Sequence, residues 1–154
     1  MRLAQTGGVH IGVDVWGGHL NTSENTTFNI SAVSHGKETT TDGRDCASSV
    51  YGMKFEGGQG KIAGTVNIDA SANGGNAIGV GVTNYFYNTS MGENWNDSAA
   101  ELNNLNVVAY SETGKAAGIE VSYTKGAEEN SVILSVNGDA DLSASTKDGE
   151  AHGI

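Results

Sequence analysis

The residues able to do chemistry in this chain are few and poorly grouped. His10, His19, His35 and His152 are scattered, so each reads as a structural position rather than a metal ligand. The lone Cys46 sits in a polar stretch, 36–46, near Asp42, Arg44 and Asp45. Its ordinary reading is a free, partly exposed thiol, and the sharper one a nucleophile served by His35. Gly57-Gly58-Gln59-Gly60-Lys61-Ile62 opens like a calcium-binding glycine-rich nonapeptide, but Lys61 and Ile62 stand where the acidic ligand belongs. No phosphate-cradling Gly-Lys-Ser/Thr loop occurs either. Sequence therefore assigns no catalytic residue, no metal and no cofactor.

The best functional candidate is the insertion 83–100, TNYFYNTSMGENWNDSAA. It holds Tyr85, Phe86, Tyr87 and Trp95, four of the chain's ten aromatics, together with Asn84, Asn88, Asn94 and Asn96. Aromatic faces flanked by amides suit stacking on sugars or anchoring a protein partner, and loops on a rigid scaffold commonly carry recognition. The alternative is a local mini-core in which the four rings bury one another.

What must position these residues is a strand scaffold. With 23 glycines and no proline in 154 residues, and only 17% of them charged, a coiled coil or charged bundle is excluded. Eight basic against eighteen acidic residues give a net charge of −10, which removes nucleic acid and anionic membrane surfaces from the partners expected. No apolar run is long enough for a membrane-spanning helix, so membrane insertion is not expected. Helical periodicity fails except over Ser98 to Leu105, which could hold a short helix. Period-two alternation prevails instead, in Phe28/Ile30/Ala32, Val66/Ile68/Ala70, Leu105/Val107/Ala109 and Ala140/Leu142/Ala144.

Those four segments are copies of one unit. Aligned on Ala32, Ala70, Ala109 and Ala144 they recur every 35–40 residues or so. After each of the last three, a glycine follows at five and at nine places: Gly75 and Gly79, Gly114 and Gly118, Gly149 and Gly153. Leu3 opens another copy that reaches Gly8 and Gly12 by the same spacing, and in the Ala32 copy a longer connection places the second glycine at Gly52. Around the second glycine the pattern is apolar-Gly-apolar-Xaa-apolar, as in Ile78-Gly79-Val80-Gly81-Val82. Each unit thus comprises two strands joined by a small polar turn.

One column of this alignment carries the topology. Three places before each anchor alanine stands Asn29, Asn67, Asn106 or Asp141. Any half-buried strand demands apolar alternation, but a repeated amide has a physical motive when copies lie directly above one another and bond side chain to side chain. That predicts an all-β solenoid with parallel, in-register strands and a structural ladder at these four positions, its corner glycines supplying positive φ. An antiparallel meander or sandwich stays open, because Asn137-Gly138 between two alternating runs is a strong hairpin signal. An outer-membrane barrel is disfavoured, since apolar faces ending in Ala and Gly lack a bulky lipid-facing band. The outward column after the second glycine, Asp14, Lys54, Gly81 and Glu120, mixes charges like solvated surface and shows no carboxylate pair for glycan cleavage.

The stretches VNIDASANGGNAIGVGV (66–82), LNVVAYSETGKAAGIEV (105–121) and ADLSASTKDGEAHGI (140–154) resemble the passenger regions of bacterial autotransporters and related large adhesins. The resemblance covers most of the chain outside the two insertions. It implies a right-handed parallel β-helix exported to the outer surface of a bacterium, acting in attachment, virulence or self-association, with a surface glycan or protein as partner. No catalytic set comes with it. The expectation is a single segment, 1–154, of a longer array, or a chain that stacks end to end, since neither end carries an obvious cap. The rival readings are an extracellular filament subunit and a glycan-processing β-helix enzyme.

Overall fold

A computed structural model describes residues 9–36, 38–39, 45–46, 48–89, 92–123 and 132–154, with the side chains of 38–39, 45–46, 85–89 and 92–96 outside the description. The opening of the copy that starts at Leu3, residues 3–8, lies outside it as well, while the strand around its Gly12 is described. Every regular element described is a strand. The first copy comprises β1 (Val9–Trp16), β2 (His19–Thr22) and β3 (Thr27–Ser34), and the longer connection after it holds β4 (Glu38–Thr39) and β5 (Asp45–Cys46). The second comprises β6 (Ser49–Glu56) and β7 (Gln59–Ala72). The third has β8 (Ala77–Thr83), then β9 (Tyr85–Thr89) and β10 (Gly92–Asn96) in the aromatic insertion, and β11 (Ser98–Ser111). The fourth has β12 (Ala116–Ser122), β13 (Val132–Val136) and β14 (Ala140–Thr146), and β15 (Ala151–His152) follows.

Equivalent strands of successive copies pair parallel and in register. One sheet runs β1-β6-β8-β12-β15, aligning Ile11, Tyr51, Ile78, Ala117 and His152 in one column. In the second, β7 pairs β11, β2 and β3 both pair β7, and β13 and β14 both pair β11. Antiparallel pairing among the described residues is confined to β4–β5 and β9–β10. The meander and sandwich alternatives are therefore overturned for both main sheets. Asn137-Gly138 does not turn a hairpin, since β13 and β14 lie along the same parallel neighbour. Asn137 N–H donates to Leu102 O (2.8 Å) and Gly138 N–H to Asn103 O (2.7 Å), so the dipeptide's own backbone bonds to β11.

Ser98 to Leu105, allowed above as helix, belongs to β11. Its inward side chains Ala100, Leu102 and Leu105 are buried, and pairing with β7 overrides the weak helical propensity. Inward residues of both sheets form one core, including Val50, Met53, Phe55, Val80 and Val82 from the first and Ile62, Val66, Ile68, Leu102, Leu105 and Val107 from the second.

The repeated glycines serve close approach rather than φ. Positive φ among the described residues occurs only at Gly17, Gly36 and Gly57. A Cβ on Gly52 would stand 2.2 Å from Ile68 Cγ2, and one on Gly79 would stand 2.2 Å from Val107 Cγ1 and 2.5 Å from Gly118 O. Val50 and Met53 are both fully buried although three residues apart, so the alternation breaks at Gly52, where the opposite sheet's isoleucine enters. The turn glycines are crowded by the neighbouring copy: a Cβ on Gly114 would lie 2.4 Å from Gly75 O. Ser111, fully buried, fastens this corner by donating to Gly75 O (2.7 Å) and accepting from Gly114 N–H (2.8 Å).

Candidate contact site

The corner between the two sheets is where the copies differ most. In the first two copies it is turned by Gly17 and Gly57, both at φ 61°, a conformation open to glycine at little cost. Gly17 N–H donates to Glu56 O (3.1 Å) and Gly57 N–H to Thr83 O (3.2 Å), so each corner hangs on the next copy. In the third copy Asn84 leaves β8 and the chain makes the antiparallel pair β9–β10 before returning at Ser98. Backbone register sets Phe86 opposite Trp95, Tyr85 opposite Asn96 and Tyr87 opposite Asn94. The hairpin thus brings the four predicted contact residues together on the backbone, while their rings lie outside the description.

A buried serine holds the base of this insertion. Ser98 Oγ accepts from Gly57 N–H (2.6 Å) and donates to the carbonyl of Thr83, and the residue is fully buried. One hydroxyl thereby joins the strand before the hairpin, the strand after it and the corner of the preceding copy.

Two further aromatics belong to the same corner. Register aligns Trp16, Glu56, Thr83 and Ser122 across four copies, and Tyr123 follows Ser122 directly. Trp16 is 58% exposed and Tyr123 52% exposed. Trp16 lies two strand spacings from Thr83, about 10 Å along the stack. Sequence reading missed both, because neither falls in the insertion; the repeat alignment, extended three residues past the apolar-Gly-apolar motif, was the signal available.

The amide column occupies the outer face of the second sheet. Asn29, Asn67, Asn106 and Asp141 are register partners on β3, β7, β11 and β14. Asn67 Nδ2 donates to Asn29 Oδ1 (2.9 Å) and Asn106 Nδ2 to Asn67 Oδ1 (2.8 Å). These residues, with Ser31, Asp69, Val108 and Ser143 in the next outward column, line a shallow groove across the strands.

The other sheet's outer column, Asp14, Lys54, Gly81 and Glu120, is also in register. Here charges are matched by near neighbours: Lys54 Nζ contacts Glu56 and lies 5.4 Å from the Tyr51 ring centre, and Lys115 Nζ contacts Glu120. Burial raises the Asp14 carboxyl above its usual range against the pull of Lys54, with Glu56 adding to the rise. Burial likewise raises the Tyr51 phenol, helped by Glu120 and Glu56. Lys54 and Glu120 thus find opposite charges close by in their own copies, at Glu56 and Lys115, whereas the charges nearest Asp14 lie on the neighbouring strand.

The histidines are dispersed over β1, β2, the end of β3 and β15, and His152 Nε2 lies 3.4 Å from Glu150 Oε2. Among the described residues no three His, Cys, Asp or Glu side chains converge as metal ligands would. Cys46 is opposite Glu38 on the backbone of the β4–β5 pair, its thiol outside the description. Compared with known proteins, the chain matches no family, no curated protein and no solved structure.

Proposed function

We propose that this chain is a right-handed parallel β-helix segment that works as an adhesive module on a bacterial surface, making contact through its aromatic corner. The observation that carries the reading is the mounting of a Tyr/Phe/Trp hairpin, fastened by buried Ser98, at the corner where neighbouring copies present Trp16 and Tyr123. A rigid stack holding aromatic faces at one edge suits CH–π and amide contacts to a surface glycan, or the anchoring of a protein. The in-register amide column supports the helix reading, since identical side chains repeat where each bonds to the next. The resemblance of 66–82, 105–121 and 140–154 to autotransporter passengers supports the surface location, and the neutralised Lys54 and Lys115 pairs support a non-catalytic role.

The test is binding of the purified chain to an array of neutral and acidic polysaccharides and to bacterial and host cells, beside the Tyr87→Ala/Trp95→Ala variant. Loss of binding with an unchanged melting temperature is the expected result. A large fall in melting temperature would place the rings in a local core and overturn the contact role, and release of shortened products from an acidic polysaccharide would overturn the non-catalytic one.

A further inference from the structure

The groove on the outer face of the second sheet is not used by the aromatic corner. One wall is the amide column, and the other is the outward column two residues further along each strand, which includes Asp69 and Val108. The floor is backbone at Ile68 and Val107, whose side chains are buried in the core. Strict register keeps both walls straight, so the groove crosses β3, β7, β11 and β14 and runs about 14 Å along the stack. It encloses about 400 Å³, the size of a small-molecule site.

Its charges are of one sign. Asp69 and Asp141 line it, and among the described residues no basic side chain does. Elsewhere Lys54, Lys61, Lys115 and Lys147 each contact a glutamate, whereas among the described residues neither groove aspartate forms an ion pair. The two carboxylates stand diagonally, on opposite walls and two strands apart. That offset is about 10 Å along the stack and about 7 Å along the strand, hence about 12 Å from one to the other. Between them on β11 lie Val108, 54% exposed, and the flat amide of Asn106. The groove therefore offers a flat middle with an apolar side chain and an unneutralised anion at each end of one diagonal.

We infer that this groove binds a flat, rod-shaped aromatic dication of the aryl diamidine class, one amidinium on Asp69, the other on Asp141 and the rings across Val108 and Asn106. A planar amidinium presents paired N–H donors that fit a carboxylate bidentately. Rings laid over Val108 remove apolar area from water. Positive ends about 12 Å apart reach both aspartates at once, whereas a monocation reaches one. The same two carboxylates and the net charge of −10 repel anionic molecules and steer cations inward. This goes beyond the contact role proposed above and does not depend on it, because the hairpin, Trp16 and Tyr123 take no part.

Titration of the 154-residue chain with a fluorescent aryl diamidine tests this, beside the neutral diamide of the same shape. Saturable binding of one diamidine per chain is expected, weakened by salt and at least about tenfold tighter than binding of the diamide. Asp69→Asn and Asp141→Asn should each weaken it about threefold and together about tenfold. Both positions are exposed and Asp141→Asn continues the amide column, so the variants should melt like the parent. Asp148→Asn, in an exposed turn outside the groove, removes the same charge and should leave the affinity unchanged. Val108→Lys sets a cation on a long stem in the groove and should abolish binding. Binding that does not saturate, or that weakens as much in Asp148→Asn as in Asp69→Asn, would reduce the effect to net charge and overturn the inference. Binding kept in Val108→Lys but lost in Tyr87→Ala/Trp95→Ala would move the ligand to the aromatic corner and overturn it too. Because the groove variants leave Tyr87 and Trp95 untouched, the glycan and cell assay reports on the corner separately.

Discussion

Two outward columns run through the same stack in the same register and are built on opposite plans. On one sheet Asn29, Asn67 and Asn106 repeat one side chain and bond across copies; on the other, Asp14, Lys54, Gly81 and Glu120 share nothing, and Lys54 and Glu120 find partners along their own copies. The difference teaches what repetition means in a stacked fold. A side chain recurs where its partner is its own equivalent about 4.8 Å away, and varies freely where the partner is a neighbour in the same strand or turn. Coulomb pairs tolerate such variety, since Lys54 needs only some acceptor within reach. An amide ladder does not, because a member between two others, such as Asn67, must both donate and accept.

The comparison can be broken by substitution. Removing the middle of the ladder, Asn67→Ala, severs two bonds and should lower unfolding free energy by about 1–2 kcal/mol, with Asn29→Ala costing about half as much because one bond is lost. Equal effects in chemical denaturation would show that the amides do not act as a ladder. In the mixed column Lys54→Gln should cost only about 0.5 kcal/mol, as expected for a partly exposed pair; a loss comparable to that of Asn67→Ala would erase the distinction. The smallest effect at neutral pH belongs to Tyr51→Phe. Because the folded phenol is raised above 10.0, the folded state keeps its proton where the unfolded chain has lost it. This contribution is fully present below pH 10 and is lost as pH rises toward the folded value. Stability measured at alkaline pH should accordingly fall more steeply in the parent than in Tyr51→Phe, and parallel curves would contradict the burial of Tyr51.

The strand scaffold and its parallel order are legible because the sequence is periodic. Asn29, Asn67, Asn106 and Asp141 shared an offset that apolar alternation alone does not require, and that offset coincides with the observed register. Asn137-Gly138 misleads because a local turn preference cannot reveal that both flanking strands bond to β11 rather than to each other. The glycines were visible but given the wrong cause. A missing Cβ is equally consistent with positive φ and with crowding, and only the opposite sheet, where Ile68 and Val107 approach, distinguishes the two. The corner residues Trp16 and Tyr123 went unread for a related reason: they are single aromatics in sequence and become neighbours of the insertion only through the pairing of β1, β6, β8 and β12.

The isoleucine at 68 fills the space that the glycine at 52 leaves, yet the two lie on different strands of different sheets. A methyl gained at the first position would meet both that isoleucine and the carbonyl oxygen of Gly79, 2.9 Å away, so shortening Ile68 does not make room for it. Descendants of this sequence would then be expected to keep the glycine while the isoleucine drifts, so that the record of interlocking survives in the position that stays put.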